Sequence, residues 1–116
     1  YARSSSKGHG KENLVEGILE KGKRYVVVED LISTGGSAVN TINAVRQQGG
    51  IVENCIAIFT YQLERSKANF KNAKCRLRIL ASFTELIEAA AKKKYIDNAK
   101  KTVIMKWKEN PEGWTP

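Results

Sequence analysis

The sequence is poor in the residues that build disulfide-held or metal-held folds. It has two cysteines, Cys55 and Cys75, outside any CxxC pair, and one histidine in 116 residues. This excludes a disulfide framework and a zinc signature. Both cysteines lie in apolar stretches, so we expect buried, reduced, inert thiols, because a reactive thiolate needs an accessible, electropositive site.

Long apolar runs are also absent, and negative charge is scarce. No run approaches the roughly 20 residues that cross a bilayer, and no secretory signal pattern occurs, so we expect a cytoplasmic protein with no membrane partner. The net charge is +8, from 20 basic and 12 acidic residues, which favours polyanions or phosphorylated metabolites. No RNP-like, helix-turn-helix or C2H2 pattern accompanies that charge, so no nucleic-acid partner is expected.

The length allows one domain with one modest core. The chain opens on "YARSSSKGHG" without an initiator Met. We therefore expect residues 1–116 to be a single partial domain, a piece of a longer protein.

Strand patterns alternate with helix patterns along the chain. Three apolar, β-branched segments predict strands: "RYVVVED", "IVENCIAIFTY" and "CRLRILAS". The first is apolar on both phases, as in a parallel strand covered on both faces. Residues 1–13 read as a mobile loop, and "QLERSKANFKNA" as a loop or a short helix. The predicted class is α/β, a parallel sheet flanked by helices with right-handed crossovers.

Three helices are predicted from spacing and caps. The first runs from Ser37 to Gln48, the second follows an S-x-x-E capping box at Ser82, and the third begins after Asp97 or Asn98 and ends before Pro111. Their predicted core faces are, in order, Ala38, Val39, Ile42 and Val45; Phe83, Leu86, Ile87 and Ala90; and Ala99, Val103 and Trp107.

The stretch with the most chemical content is "VVVEDLISTGGS", where a strand meets two carboxylates and then a turn of small residues. Amides of a glycine turn at a helix start cradle an anion. Glu29 and Asp30 would repel a phosphate, so they suit vicinal hydroxyls or a nearby Mg²⁺. A ribose 5-phosphate satisfies both halves.

Simpler interpretations remain for each half. Gly-Gly is often only a tight turn, and paired acids are often a solvated edge or a cap. The stretch is neither a Walker A motif, since no Lys follows the glycines, nor GxGxxG, so an NTPase or a dinucleotide enzyme is not expected.

This stretch resembles the phosphoribosyl-pyrophosphate (PRPP) signature of type I phosphoribosyltransferases. The upstream "YARSSSKGHGKENLVEG" resembles the mobile catalytic loop of orotate phosphoribosyltransferases, through Arg3, Lys7, His9 and Gly10, and the ending "NPEGW" is similar to bacterial members. The resemblance extends best over residues 1–61. It implies a type I phosphoribosyltransferase-like core without its N-terminal hood, so we expect this stretch alone to be inactive.

The resemblance implies that PRPP and orotate react to give orotidine 5′-monophosphate and pyrophosphate in pyrimidine synthesis, with Mg²⁺ that no protein group holds directly. It also implies a homodimer in which each loop acts on the neighbouring site. Lys7 and Asp30 are the implied catalytic residues, and Ser33 the implied orotate contact. The implied PRPP-binding set is Arg3, Lys7, His9, Glu29, Asp30, Leu31, Ile32, Ser33, Thr34, Gly35, Gly36 and Ser37.

The sequence departs from the family at two places. Some members have a second Lys where this chain has Ser4, and some have an orotate-contacting Arg where this chain has Tyr61 and Gln62, with Arg65 nearby. Two other functions stay open: a non-catalytic PRPP-sensing regulator, and a transferase for a purine or another base. The Lys-x-His-Gly loop favours an enzyme, because a sensor has no leaving group to neutralise.

Overall fold

The fold is described over residues 17–115 of a computed structural model. Within that range, its strands are β1 (Arg24–Ile32), β2 (Ile51–Thr60) and β3 (Arg76–Ser82). Its helices are α1 (Gly36–Gln47), α2 (Glu64–Asn72), α3 (Phe83–Lys92) and α4 (Asn98–Glu109). The predicted α/β class is confirmed.

The three strands form one parallel sheet in the order β1-β2-β3. Ile32, Thr60 and Ser82 lie side by side in the register. The segments that follow the three strands therefore leave the sheet at one common edge. Ligands of parallel α/β sheets bind beyond this carboxyl edge, so we look for the functional site there.

A hydrophobic core lies between α1 and one face of the sheet. Ile42 of α1 and Cys55 of β2 are fully buried. Of the helix face that spacing predicts, Ala38, Ile42 and Val45 are buried and Val39 is half-buried. The whole buried cluster comprises Val27, Ile32, Ala38, Ile42, Val45, Val52, Cys55, Ala57, Phe70 and Cys75.

The opposite face of the sheet is exposed in the part of the chain described. Val28, Ile58 and Leu80 expose 73%, 58% and 75% of their surface, although side chains this apolar favour burial. Within residues 17–115, nothing covers this face of the sheet at these three positions. The sequence predicts that β1 is covered on both faces. The structure covers it on the face that packs against α1 and leaves the other face exposed.

The segment predicted as a loop or a short helix is a nine-residue helix, α2. Its sequence is too polar for a clear periodic signal, and only Ser66 and Phe70 are buried. These two residues are four apart, so they lie on one face of the helix. Packing of that face against the core holds the segment helical despite its polarity.

The last two helices begin where their caps predict. Ser82 and Glu85 form the capping box of α3, and the side chain of Asp97 accepts a hydrogen bond from the amide of Lys100 at the start of α4. The predicted core faces are only partly right, since Leu86 and Val103 are 53% and 49% exposed. Within the described range α3 packs mainly on α4 and β3, and its buried residues are Phe83 and Ile87.

An aromatic cluster joins these helices to the sheet. The ring of Tyr61, just after β2, lies 5.6 Å from Phe83 and 5.8 Å from Trp107, centre to centre. Such edge and tilted contacts stabilise aromatic pairs beyond simple burial. The cluster therefore fixes α3 and α4 beside the carboxyl edge of the sheet.

The cysteines behave as the composition predicts. Both are free and buried, and burial raises the pKa of the Cys55 thiol to about 12. A thiol of that pKa is almost wholly protonated at neutral pH, so it is not nucleophilic. Among residues 17–115, no helix has the length and apolar character to span a membrane.

Candidate functional site

The acid pair lies inside β1 rather than at its end. The strand continues through Glu29 and Asp30 to Ile32, two residues further than the sequence predicts, because Leu31 still pairs with Phe59 of β2. Glu29 is half-buried and pairs with Ala57. Asp30 is exposed, and its carboxylate accepts a hydrogen bond of 2.7 Å from the amide of Leu31.

The carboxylate of Glu29 is held at an electrostatic cost. Burial, and then the neighbouring charge of Asp30, raise the pKa of the Glu29 carboxyl above its ordinary value. Both effects oppose the ionised form of Glu29. A ligand that offers hydroxyl donors, or a cation, would relieve them, so the pair is suited to such a ligand.

The turn after β1 leads into a helix start that no side chain caps. Gly35 is the N-cap residue of α1, with a φ of 80° and no side-chain cap hydrogen bond. The first bond of the helix is the 3.0 Å contact from the amide of Val39 to the Gly35 carbonyl. Within residues 17–115, the preceding amides of Gly36, Ser37 and Ala38 have no recorded acceptor. Unpartnered amides at the positive end of a helix dipole are suited to bind an anion.

Glycine stands at the two positions of the turn for different reasons. At Gly35 the fold requires glycine, because its φ is left-handed and an added Cβ would lie 2.9 Å from a ring carbon of buried Phe70. At Gly36 the φ is ordinary, and the nearest atom to an added Cβ is the Thr34 hydroxyl at 3.8 Å. Nothing in the described fold requires a glycine at 36. The open space there lies at the start of α1, where an anion would sit.

The turn rests on α2, which the sequence did not connect to it. The side-chain amide of Asn69 donates a 2.8 Å hydrogen bond to the backbone carbonyl of Thr34. The next residue, Phe70, packs against Gly35. No local signal reveals this contact, because its partners are 35 residues apart in the chain.

The segment after β2 brings a second polar group to the same edge. Tyr61 donates from its amide to the Ile32 carbonyl at 3.0 Å. The side-chain carbonyl of Gln62 accepts from the hydroxyl of Thr84 at 2.6 Å, and the Lys108 ammonium lies 3.0 Å from that hydroxyl. Sequence reasoning missed this cluster, because its members come from three separate segments.

The remaining site residues differ in how they are placed. Arg65 lies on α2 and forms a 3.3 Å ion pair with Glu112. The side chain of Ile32 is 2% exposed and belongs to the core, so only its backbone can face a ligand. Leu31 is 45% exposed, and Ser33 and Ser37 are exposed. Arg3, Lys7 and His9 lie outside the described residues.

We expect a Glu29→Gln substitution to stabilise the folded protein and to weaken its binding of the ligand. Removing the half-buried charge should raise the free energy of unfolding at pH 7 by roughly 0.5 kcal/mol, since a partly exposed charge is screened. Because the pKa of Glu29 is raised in the fold, the cost of its charge is present at neutral pH and is lost as the pH falls toward the ordinary value of 4.5. Thermal unfolding between pH 4 and pH 8 measures this.

Glu88→Gln on α3 is the matched control, since Glu88 is exposed and should show no such gain. A Glu29→Gln protein that is less stable than wild type at pH 7, or equally stable at every pH, contradicts this account of the acid pair.

The comparisons with known proteins agree on one family. The chain is 45% identical over 116 residues to the orotate phosphoribosyltransferase of Coxiella burnetii, covering 100% of this chain and 56% of that protein. It is 42% identical over 114 residues to the orotate phosphoribosyltransferase of Enterococcus faecalis, covering 98% of this chain and 54% of that protein. The chain thus spans about half the length of the curated relatives that it matches.

Solved structures support the same fold. The crystal structure of the orotate phosphoribosyltransferase from Aeropyrum pernix matches with a TM-score of 0.65 at 27% identity, over 76% of this chain and 49% of that one. A Leishmania donovani UMP synthase matches with a TM-score of 0.65 at 22% identity, over 80% of this chain and 21% of that one, which supports the fold alone. No family model matches the chain.

Proposed function

We propose, from a chain that belongs to the orotate phosphoribosyltransferase family, that the intact protein transfers phosphoribosyl from PRPP to orotate. The products are orotidine 5′-monophosphate and pyrophosphate, in pyrimidine synthesis. The observation that carries the proposal is the acid pair of β1 followed, at the same edge of the sheet, by an uncapped helix start.

Each half of the site would hold one part of the donor. The turn Ser33 to Gly36, with the free amides at the start of α1, would hold the 5-phosphate. Glu29 and Asp30 would accept hydrogen bonds from the ribose hydroxyls, next to the carbon that becomes cationic. Negative charge close to that carbon favours the transition state over the ground state.

The reaction is a substitution at one ribose carbon. The bond to pyrophosphate breaks, pyrophosphate leaves with the electron pair, and a ring nitrogen of orotate forms the new bond with its own electron pair while its proton passes to pyrophosphate or water. By its resemblance to the family loop, the segment with Arg3, Lys7 and His9 would neutralise the growing charge on pyrophosphate. Closure of such a loop would exclude water, which otherwise hydrolyses the donor.

The described residues are compatible with a Mg²⁺ ion that binds together with PRPP. Residues 17–115 contain no cluster of three or more His, Cys, Asp or Glu side chains that could hold a metal ion. The oxygen atoms that Mg²⁺ prefers would come chiefly from the donor, with the negative charge of Glu29 and Asp30 nearby. The ion would supply charge neutralisation on the pyrophosphate, and the two carboxylates would orient the ribose hydroxyls beside it.

The proposal extends to the assembly and the compartment. We expect a cytoplasmic homodimer in which the loop of one subunit reaches the site of the other. The PRPP-sensing regulator is not favoured, because the matched relatives quoted above are named as the enzyme.

The proposal is tested by product formation in the intact protein, with any segments that flank this chain in place. Orotidine 5′-monophosphate should form from PRPP, Mg²⁺ and orotate, and no nucleotide should form when a purine base replaces orotate. Calorimetry should show PRPP binding that an Asp30→Asn variant weakens. Donor binding without turnover would favour the regulator, and turnover with a purine base would favour the other transferase.

A further inference from the structure

We propose that Asn69 is a positioning residue for the phosphate-binding turn: through Thr34, it sets the direction in which the Gly35 amide points. This inference rests on the proposed function, because it concerns how the turn binds the 5-phosphate of the donor.

The first argument is the geometry of the peptide unit. Asn69 donates from its side chain to the carbonyl of Thr34 at 2.8 Å, so that carbonyl points at α2. In a planar trans peptide the carbonyl and the following amide N–H point in opposite directions. The N–H of Gly35 therefore points away from α2, and Asn69 fixes this orientation.

The second argument is that the core does not need this contact. Phe70, the next residue, is 4% exposed and belongs to the buried cluster, so hydrophobic burial explains its place. Asn69 is half-buried and polar. An asparagine inside a helix is less favourable than alanine or glutamine, because its side chain competes for backbone hydrogen bonds. Its side chain therefore contributes through a tertiary contact, and among residues 17–115 its hydrogen bond goes to the turn.

Phe70 and Asn69 constrain the turn in different ways. The ring of Phe70 limits how closely Gly35 approaches α2, since a Cβ at Gly35 would lie 2.9 Å from it. A contact with a flat ring leaves the peptide plane free to rotate. The hydrogen bond from Asn69 is directional and removes that freedom, so the turn is oriented before the phosphate arrives. Such preorganisation lowers the cost of binding.

The test compares Asn69→Asp with Asn72→Asp in the intact protein. Both variants add one negative charge to α2, but Asn72 is exposed, whereas Asn69→Asp also removes the donor to Thr34. We expect Asn69→Asp to raise the dissociation constant for PRPP by about tenfold, the scale for losing a hydrogen bond whose half-buried acceptor is left unpaired. Asn72→Asp should change it by less than about twofold, and the KM for orotate should stay unchanged in both.

A second readout needs no ligand. Amide hydrogen exchange at Val39, whose amide donates to the Gly35 carbonyl, should be faster in Asn69→Asp than in wild type, because the turn that carries this carbonyl is less firmly held, and unchanged in Asn72→Asp. Unchanged exchange, or a PRPP affinity within twofold of wild type, overturns the role of Asn69. An equal loss of affinity in both variants also overturns it, because the charge of α2 would then be the cause. Absence of PRPP binding by the wild type overturns the proposed function instead, and exchange still decides the role of Asn69.

Discussion

A Lys7→Ala variant of the intact protein should lose at least about 100-fold in kcat, the scale for removing one electrostatic stabiliser of a transition state. Under the proposed function, and by the resemblance of "SSSKGHG" to the family's catalytic loop, Lys7 would lie where negative charge grows on the departing pyrophosphate. The pyrophosphate group is already anionic in the ground state, and it gains further negative charge in the transition state as its bond to the ribose breaks. The KM for PRPP should therefore change much less than kcat.

Steady-state kinetics with both substrates varied separately measure this effect. Lys21→Ala is the control, since Lys21 is an exposed lysine outside the signature and should leave kcat unchanged. A Lys7→Ala effect confined to KM would contradict the role, because it would indicate uniform binding of ground state and transition state.

Gly36→Val should fold normally and yet bind PRPP at least about 100-fold more weakly. The φ of Gly36 is ordinary, and a Cβ there meets only the Thr34 hydroxyl at 3.8 Å, so the fold has room for a side chain. In the complex that side chain would occupy the space of the 5-phosphate. The phosphate would then lie too far from the amides at the start of α1 to accept hydrogen bonds from them. These bonds are charge-assisted, so the loss of each one lowers the affinity for PRPP several-fold.

Calorimetry and thermal unfolding of the intact protein check both halves of this prediction. Asn40→Val introduces the same β-branched residue at an exposed position of α1 and should leave the affinity for PRPP unchanged. Gly35→Ala should behave in the opposite way, lowering the melting temperature, because position 35 has a left-handed φ and faces Phe70. Wild-type affinity in Gly36→Val would be incompatible with a phosphate at this turn.

The sequence by itself determined the parts of this protein that depend on neighbouring residues. The strand-turn-helix order of "VVVEDLISTGGS" follows from β-branched residues, small turn residues and the spacing of Ala38, Ile42 and Val45. The starts of α3 and α4 follow from the caps at Ser82 and Asp97, which act within three residues of themselves. Local patterns of this kind are legible in a sequence because their partners lie within one turn of the chain.

The tertiary structure alone decided the environment of the site. The half-burial of Glu29, the contact of Gly35 with Phe70, and the bond from Asn69 to Thr34 all join distant segments. The burial of Glu29 depends on its place in the sheet beside β2, and the other two depend on how α2 packs against the turn after β1, which has no periodic or local signature in a polar helix. The sequence therefore named the residues of the proposed phosphate-binding turn, whereas only the fold showed that packing requires glycine at 35 and leaves open space at 36.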